Sequence, residues 1–281
     1  MVASRYADVL GARTHYLEAG EGPPLVLIHG GEVGASAETS WEFVIEPLAR
    51  EFRVIAPDML GFGRTEKLFS FENFWHKRVA HVAALLGHLE VGPAWFAGNS
   101  MGGTMILAEA SAPEPQWQIA GVINVCGGAG VKPSVQPILQ GYDLTREHFR
   151  QVLDLVVRRE DLRSDDDYVE RRYQMSALPG TWESAAATRL APPGSKPRSV
   201  RPPLEFARIG VPALVIAGRD DPISDVETIR DIAAAIPGSR FAVIEEAGHC
   251  PQVDRPDAFV SEVLSFVADA GKGGRSAAAS A

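Results

Sequence analysis

Short apolar runs alternate along this chain with segments of helical periodicity, and this alternation strongly limits the folds open to it. The runs are rich in β-branched residues and end in polar or turn residues: 24–29, 52–58, 93–98, 120–128, 211–218 and 240–248. Such runs are typical of strands buried on both faces of a parallel sheet. Between them, apolar residues recur at helical spacings in 41–50, 73–90 and 225–236. We therefore predict an α/β fold, with a mostly parallel central sheet flanked by helices.

One stretch, 133–207, interrupts this alternation. Its clearest patterns are helical, over 145–158 and 165–177, and prolines that resist both helix and sheet stand near its two ends. Ser164 is the predicted N-cap of the second of these helices. We predict a helical cap at 133–207, inserted between the core segments 1–132 and 208–270. The tail 271–281 is rich in glycine, alanine and serine, and we expect it to be disordered.

Composition argues against several kinds of partner. The 281 residues carry a net charge of −9, which disfavours binding to nucleic acid. Neither a membrane-spanning apolar run nor a signal-peptide pattern is visible, so we expect a cytoplasmic protein with no membrane partner. The two cysteines, Cys126 and Cys250, indicate neither a disulfide framework nor a metal site, and we expect no cofactor. The sequence leaves open whether the chain forms a homodimer or a larger homo-oligomer.

The strongest chemical signal is the pattern Gly98-Asn99-Ser100-Met101-Gly102, which follows an apolar run and precedes a helical segment. This is the glycine–X–serine–X–glycine nucleophile elbow in the strand–turn–helix context that it requires. The sharp turn pushes the serine hydroxyl outward, and the glycines let neighbouring backbone pass closely. We predict that Ser100 is a nucleophile, and the sequence leaves open whether it attacks covalently or orients an activated water; the alternative is an ordinary glycine-rich turn.

A nucleophilic serine needs a base, and the base needs an acid to orient it. Among the seven histidines, His249 is the best candidate because it lies in a loop directly after the last predicted strand. Asp220 and Asp221 both follow the preceding strand, and their turn position alone does not choose between them. The chain order serine, aspartate, histidine is the order that such hydrolase sites use.

The reaction also needs hydrogen-bond donors for the negative charge that develops on the attacked oxygen. The loop that follows 24–29 begins with His29, Gly30 and Gly31, and its glycines leave backbone amides accessible. We predict that the N–H groups of Gly31 and Met101 form this oxyanion hole. We expect His29 to hold the loop in place rather than to react.

These motifs, together with the segments HGGEVGASAETSW, GNSMGG and GHCPQVDRP, resemble those of the α/β-hydrolases over nearly the whole chain. The resemblance is strongest to the meta-cleavage product hydrolases, which cleave a carbon–carbon bond in 2-hydroxy-6-oxohexa-2,4-dienoates. It implies a triad of Ser100, Asp221 and His249, and so favours Asp221 over Asp220. It also implies a small carboxylate substrate and a set of substrate-binding residues: Gly30, Ser40, Asn99, Arg172 and Tyr173.

The residues themselves also favour Arg172 as the group that binds the carboxylate. On a helix it shares a face with Val169 and Tyr173, whereas Arg171 lies four residues from Asp167 and can pair with it. An arginine on an apolar helix face is suited to bidentate carboxylate recognition. The alternative is a structural ion pair between the cap and the core.

Three positions depart from the family pattern. Glu32 stands where the oxyanion loop usually has glycine, Ser40 where asparagine is frequent, and Cys250 where tryptophan is common. A carboxylate beside an oxyanion hole opposes the developing charge unless it is neutralised or turned away. We therefore keep a carboxylesterase or lactonase as an alternative activity, and a non-catalytic ligand-binding protein as a third hypothesis.

Overall fold

An eight-stranded sheet forms the centre of the protein. The computed structural model describes residues 1–70, 74–187 and 202–278. The strands are β1 (Ala3–Val9), β2 (Ala12–Ala19), β3 (Pro24–Ile28), β4 (Arg53–Pro57), β5 (Ala94–Asn99), β6 (Ile119–Val125), β7 (Ala213–Gly218) and β8 (Arg240–Ile244). Their order across the sheet is β1-β2-β4-β3-β5-β6-β7-β8. The pairs β1–β2 and β2–β4 are antiparallel and all the others are parallel, which confirms the predicted fold class.

Helices flank this sheet and form a separate group between β6 and β7. They are α1 (Ala37–Trp41), α2 (Ile45–Leu48), α3 (Phe74–His88), α4 (Met101–Ser111), α5 (Gln136–Gln140), α6 (Arg146–Val156), α7 (Glu160–Ser164), α8 (Asp166–Ser176), α9 (Thr181–Ala187), α10 (Val226–Ala235), α11 (Pro251–Asp254) and α12 (Pro256–Ala278). None of the helices in the described ranges is long and apolar enough to span a membrane.

Both faces of the sheet are buried, as the continuous apolar runs predict. On β3, Leu25 and Leu27 pack into one hydrophobic cluster, whereas Val26 and Ile28 pack into the cluster on the opposite face. All four side chains are fully buried. Burial of each such side chain stabilises the fold by about 1.5–3 kcal/mol.

The N-terminal part of the chain differs from the expectation in two ways. β1 and β2 form an antiparallel hairpin at the sheet edge that the apolar-run pattern did not predict. Segment 41–50 is not one helix: α1 ends at Trp41, and α2 begins at Ile45. Pro47 explains the break, since it lacks an N–H and its ring clashes with the carbonyl of the residue four positions earlier.

Helices α5–α9 form the region predicted as the cap, and residues 188–201 of that region lie outside the described residues. The predicted N-cap Ser164 is wrong, because Ser164 ends α7 and its hydroxyl donates to the carbonyl of Glu160. Asp165 caps α8 instead, accepting the N–H groups of Asp167 and Tyr168. Its carboxylate is closer to the first turn of the helix than the hydroxyl one residue earlier.

The C-terminal segment also differs from the expectation of a disordered tail. Helix α12 continues to Ala278, and residues 279–281 lie outside the described range. The buried side chains of Phe259, Val263 and Phe266 anchor the first turns of α12 on the core. Once a helix is nucleated by packing, each further residue adds a hydrogen bond at low cost, which extends the helix past the glycines.

Candidate active site

Ser100 occupies a strained turn between β5 and α4. Its backbone has φ 52° and ψ −111°, and its N–H donates to the carbonyl of Val125 at 2.8 Å. Such a conformation costs a non-glycine residue on the order of 1–3 kcal/mol and persists where the surroundings hold it. Close backbone contacts provide that hold: a Cβ on Gly98 would lie 2.5 Å from the carbonyl carbon of Gly102. The elbow therefore has the backbone geometry that the sequence pattern predicted.

We expect Gly102→Ala to destabilise the protein, because a Cβ at this position would lie 2.3 Å from the carbonyl oxygen of Ile28. Overpacking of this kind costs about 1–3 kcal/mol or more. Gly87→Ala in α3 is the matched control, since its Cβ would meet no atom within 4 Å. Thermal unfolding of both variants measures the difference. Equal melting temperatures for the two variants would contradict the proposed close approach.

Asp221 and His249 form a buried pair at the ends of β7 and β8. His249 Nδ1 lies 2.8 Å from Asp221 Oδ2, and both side chains are almost inaccessible to solvent. Asp221 Oδ1 also accepts the N–H groups of Ile223 and Ser224 at 2.7 and 3.1 Å, which fixes the carboxylate. Asp220 instead points outward and pairs with Arg158 at 2.9 Å. Of the two candidate acids, the structure therefore brings Asp221 to His249.

Asp221 and His249 each shift the pKa of the other in favour of the charged form. Burial alone would lower the pKa of His249, but the charge and hydrogen bond of Asp221 outweigh burial and raise that pKa. Burial alone would raise the pKa of Asp221, but the charge and hydrogen bond of His249 outweigh burial and lower it. Asp221 thus remains a carboxylate, and with Nδ1 engaged, Nε2 is the nitrogen left for proton transfer.

A cavity of about 280 Å³ lies between the sheet and the cap, near the lower limit of small-molecule sites. Ser100, Met101 and His249 line it from the core together with Gly31 and Glu32. Its remaining lining residues include apolar side chains from the cap and the neighbouring loops: Val131, Leu139, Val156 and Ile223. The predicted nucleophile, base and oxyanion residues therefore share one cavity at the carboxyl ends of the strands.

The predicted oxyanion residues lie side by side. A Cβ on Gly31 would lie 3.0 Å from the sulfur of Met101, so the loop that carries Gly31 contacts the start of α4. Met101 is the first residue of α4, and the first N–H groups of a helix have no intrahelical acceptor. The helix dipole adds a favourable potential for negative charge at this end. His29 fixes the loop: its Nδ1 bonds Gly30 O at 2.7 Å, and its Nε2 accepts the N–H of Met59 at 3.0 Å.

Arg172 is buried between the cap and the oxyanion loop. Its Nη1 donates to Tyr168 Oη at 2.9 Å and to Thr39 O at 3.3 Å, and its Nη2 lies 3.4 Å from Glu32 Oε1. Burial alone would lower the pKa of Arg172, but the neighbouring Tyr168 and Glu32 raise it. The guanidinium is therefore charged, and it neutralises the carboxylate that Glu32 brings beside the predicted oxyanion hole. Arg171 pairs with Glu42 at 2.9 Å rather than with the predicted Asp167.

The other predicted substrate-binding residues are not among the lining residues of this cavity in the described chain. Asn99 is buried and donates to His249 O at 2.9 Å, which ties the end of β5 to the histidine loop. Gly30 is covered by the carboxylate of Glu32. Ser40 is buried on α1, and the hydroxyl of Tyr173 donates to Leu144 O at 2.9 Å inside the cap.

Two residues that support the site were not predicted from the sequence. Tyr168 lies four residues before Arg172 on α8, a spacing that places both side chains on one helix face. Asp254 accepts the N–H of Gly248 at 2.8 Å and those of Arg158 and Arg159 at 2.7 and 3.1 Å. It thus joins the histidine loop to the cap. The sequence could have indicated Tyr168, because its spacing from Arg172 is local. It could not have indicated Asp254, because the contacts of Asp254 with the two arginines span about 95 residues.

One group in the described residues has donor atoms close enough to be considered for a metal ion. The ligand atoms of Cys126, Asp221 and His249 lie within 4.8 Å of one another. Burial and the carboxylate of Asp221 raise the pKa of Cys126 well above its ordinary value, so a neutral thiol rather than a thiolate is present. The imidazole and the carboxylate are already bonded to each other. This donor set fits a hydrogen-bonded relay better than a metal centre.

Comparison with known proteins identifies the class to which this fold and site correspond. The family described as "Alpha/beta hydrolase family" matches residues 25–262, which is most of the chain. The chain belongs to the alpha/beta hydrolase family and is a hydrolase. The resemblance recognised from the sequence motifs is therefore confirmed.

Within that family, the chain is similar to meta-cleavage product hydrolases. It is 32% identical to the 2-hydroxy-6-oxo-6-(2'-aminophenyl)hexa-2,4-dienoic acid hydrolase of Metapseudomonas resinovorans, over 94% of this chain and 90% of that protein. It is 35% identical to the 2-hydroxymuconate semialdehyde hydrolase of Pseudomonas sp. (strain CF600), over 92% of each. The crystal structure of a meta-cleavage product hydrolase from Pseudomonas fluorescens IP01 superposes with a TM-score of 0.81 at 26% identity, covering 95% of this chain and 98% of that one.

Proposed function

We propose that this hydrolase cleaves a carbon–carbon bond in a 2-hydroxy-6-oxohexa-2,4-dienoate, with Ser100 as nucleophile, His249 as base and Asp221 as the acid that orients it. The observation that carries the proposal is the convergence of Ser100 and the Asp221–His249 pair on one cavity beside a buried arginine, in a chain similar to enzymes named for this reaction. The substrate is a small acid with an apolar side chain, which suits the apolar lining of that cavity.

In the proposed reaction, the 2-enol of the substrate first becomes the 2-keto form, which provides an electron sink. Ser100 Oγ then adds to the C6 ketone carbon, and its proton passes to His249 Nε2. The N–H groups of Gly31 and Met101 stabilise the oxyanion that forms.

The C5–C6 bond then breaks, and its electron pair leaves on the carbon conjugated to the keto acid. The imidazolium of His249 protonates that carbon. A water molecule, deprotonated by the same imidazole, finally releases the acyl group from Ser100 as a carboxylic acid.

Hydrolysis of an ester or lactone is the second candidate function, and the position of Glu32 favours it. Glu32 lines the cavity, whereas Arg172 is not among its lining residues in the described chain. A substrate without a carboxylate needs the same nucleophile, base and oxyanion hole, but it has no need of Arg172.

We expect the purified protein to bleach the visible absorbance of a 2-hydroxy-6-oxohexa-2,4-dienoate. The measurement compares turnover of several dienoates, with methyl and phenyl side chains, with turnover of short p-nitrophenyl esters. A protein that hydrolyses the esters but leaves every dienoate intact would reject the first function in favour of the second.

We expect Arg172→Gln to reduce kcat/KM for dienoates about 10–100-fold, because a hydrogen bond to a charged partner contributes about 1.5–3 kcal/mol. The double variant Arg172→Gln/Glu32→Gln is compared with the single variant Glu32→Gln. In this background, no buried carboxylate is left without its cation. Ester hydrolysis should change by less than about threefold, given the same energy scale. Arg171→Gln, whose side chain pairs with Glu42 at the surface, is the matched control. An equal loss on both substrates would assign Arg172 a structural role only.

A further inference from the structure

The carboxylate of Glu32 lies between the cavity and Arg172. Glu32 lines the cavity together with Ser100 and His249, and its side chain is only 6% exposed. Its Oε1 lies 3.4 Å from Arg172 Nη2, while Arg172 itself is 2% exposed. A molecule entering the cavity therefore meets a carboxylate before it reaches the guanidinium.

Arg172 has donor capacity that this ion pair does not use. Its Nη1 is occupied by Tyr168 and Thr39, and its Nη2 makes one long contact with Glu32. Within the described chain, Arg172 Nε and the buried hydroxyl of Ser40 have no hydrogen-bond partner. A carboxylate binds arginine most strongly through two parallel N–H groups. Glu32 thus lies beside Arg172 at the position where an anion would bind, which we call the anion position. It contacts the guanidinium through only one nitrogen.

Gly30 makes the inward position of Glu32 sterically available. A Cβ at Gly30 would lie 2.4 Å from Glu32 Oε2 and 3.2 Å from Asn99 Oδ1. With no side chain at residue 30, the carboxylate of Glu32 rests against the backbone beside Asn99. The family resemblance places Gly30 and Asn99 among the substrate-binding residues.

We propose that Glu32 is a specificity-determining residue that occupies the anion position on Arg172 and weakens the binding of ligands that bring their own carboxylate to that position. The inference rests on the proposed function for the identity of the cavity as the substrate site. A second carboxylate at this position must displace Glu32 or share one guanidinium with it, and both arrangements carry an electrostatic cost in a site shielded from water. A neutral amide of the same shape brings no second negative charge and therefore meets no charge repulsion from Glu32.

The test compares the binding of sorbate, a six-carbon dienoic acid, with that of its neutral amide, sorbamide. Both lack the ketone at which the enzyme would react, so calorimetric titration measures binding without turnover. We expect Glu32→Gln to tighten sorbate binding tenfold or more and to change sorbamide binding less than twofold. Glu38→Gln is the matched control, since it removes one negative charge from a carboxylate that pairs with Arg64 away from the cavity lining.

Three results would overturn the inference: unchanged sorbate affinity in Glu32→Gln, weaker affinity, or no measurable binding of sorbate to that variant. Weaker binding would mean that Glu32 positions Arg172 for the ligand instead of competing with it. Circular dichroism melting of each variant checks that it is folded. Tighter sorbate binding in a protein that cleaves no dienoate would reject the proposed function and leave the inference standing. Dienoate cleavage with unchanged sorbate affinity in Glu32→Gln would support the proposed function and reject the inference about Glu32.

Discussion

Ser100→Ala should abolish turnover, lowering kcat/KM by at least about 10³-fold, because no other group in a serine-type site replaces the nucleophile. The hydroxyl sits at the carboxyl end of β5, in a cavity that it shares with His249. Steady-state assays on the best dienoate or ester measure the loss. A fluorophosphonate should add to the wild-type serine, detected by mass spectrometry, and should leave the Ser100→Ala protein unlabelled.

The control for this substitution is Ser111→Ala, at the last residue of α4. The hydroxyl of Ser111 donates to the carbonyl of Ala108 at the far end of α4, so the variant should retain wild-type activity. If Ser100→Ala keeps activity within about tenfold of wild type, which corresponds to about 1.4 kcal/mol, Ser100 only orients a water molecule and the covalent step is wrong.

Asp221→Asn should reduce kcat by roughly 10⁴-fold, as expected when the acid that orients a catalytic imidazole is made neutral. An asparagine that offers its amide to Nδ1 favours the tautomer in which Nε2 carries the proton and cannot act as base. The exposed neighbour Asp220, which pairs with Arg158, provides the control variant Asp220→Asn. Its kcat should stay close to that of the wild type. Comparable losses in the two variants would contradict the assignment of Asp221.

The pH profile gives a second readout for the same variant. Base catalysis needs neutral His249, so wild-type kcat/KM rises as the pH increases through the pKa of that imidazole. Burial opposes the charged imidazole, but Asp221 outweighs it and raises this pKa, which moves the acidic limb of the profile above the ordinary histidine value of about 6.5. In Asp221→Asn, burial acts without the countercharge, so the remaining activity should have its acidic limb at lower pH. An unshifted limb would show that another group governs the profile.

Much of the fold was predictable because its signals are local. A strand buried on both faces needs a continuous apolar run, and a flanking helix needs apolar residues at helical spacing, so β3–β8 and helices α3, α6, α8 and α10 were all found from pattern alone. Strand β1 was missed because it is largely exposed and has no such run. Local chemistry also explains the wrong cap of α8, where two polar residues in succession could each have served.

The candidate site also has some features that local sequence patterns predict and others that they do not. The sequence by itself determined the nucleophile elbow, since a sharp strand-to-helix turn requires glycines at fixed positions around Ser100. It also predicted the loops that carry the proposed base and acid, because the carboxyl ends of parallel strands meet at one edge of the sheet. These features depend on backbone conformation, which short sequence patterns encode.

Only the tertiary structure decided which way the side chains face. It brought Asp221 rather than Asp220 to His249, a choice that the family resemblance favoured but that the turn position of the two adjacent residues left open. It also paired Glu32 with Arg172 across 140 residues, so that the carboxylate expected to oppose the reaction is neutralised by the arginine expected to bind substrate. Contacts of this kind depend on how the cap packs on the core, and no local pattern in the sequence encodes that packing.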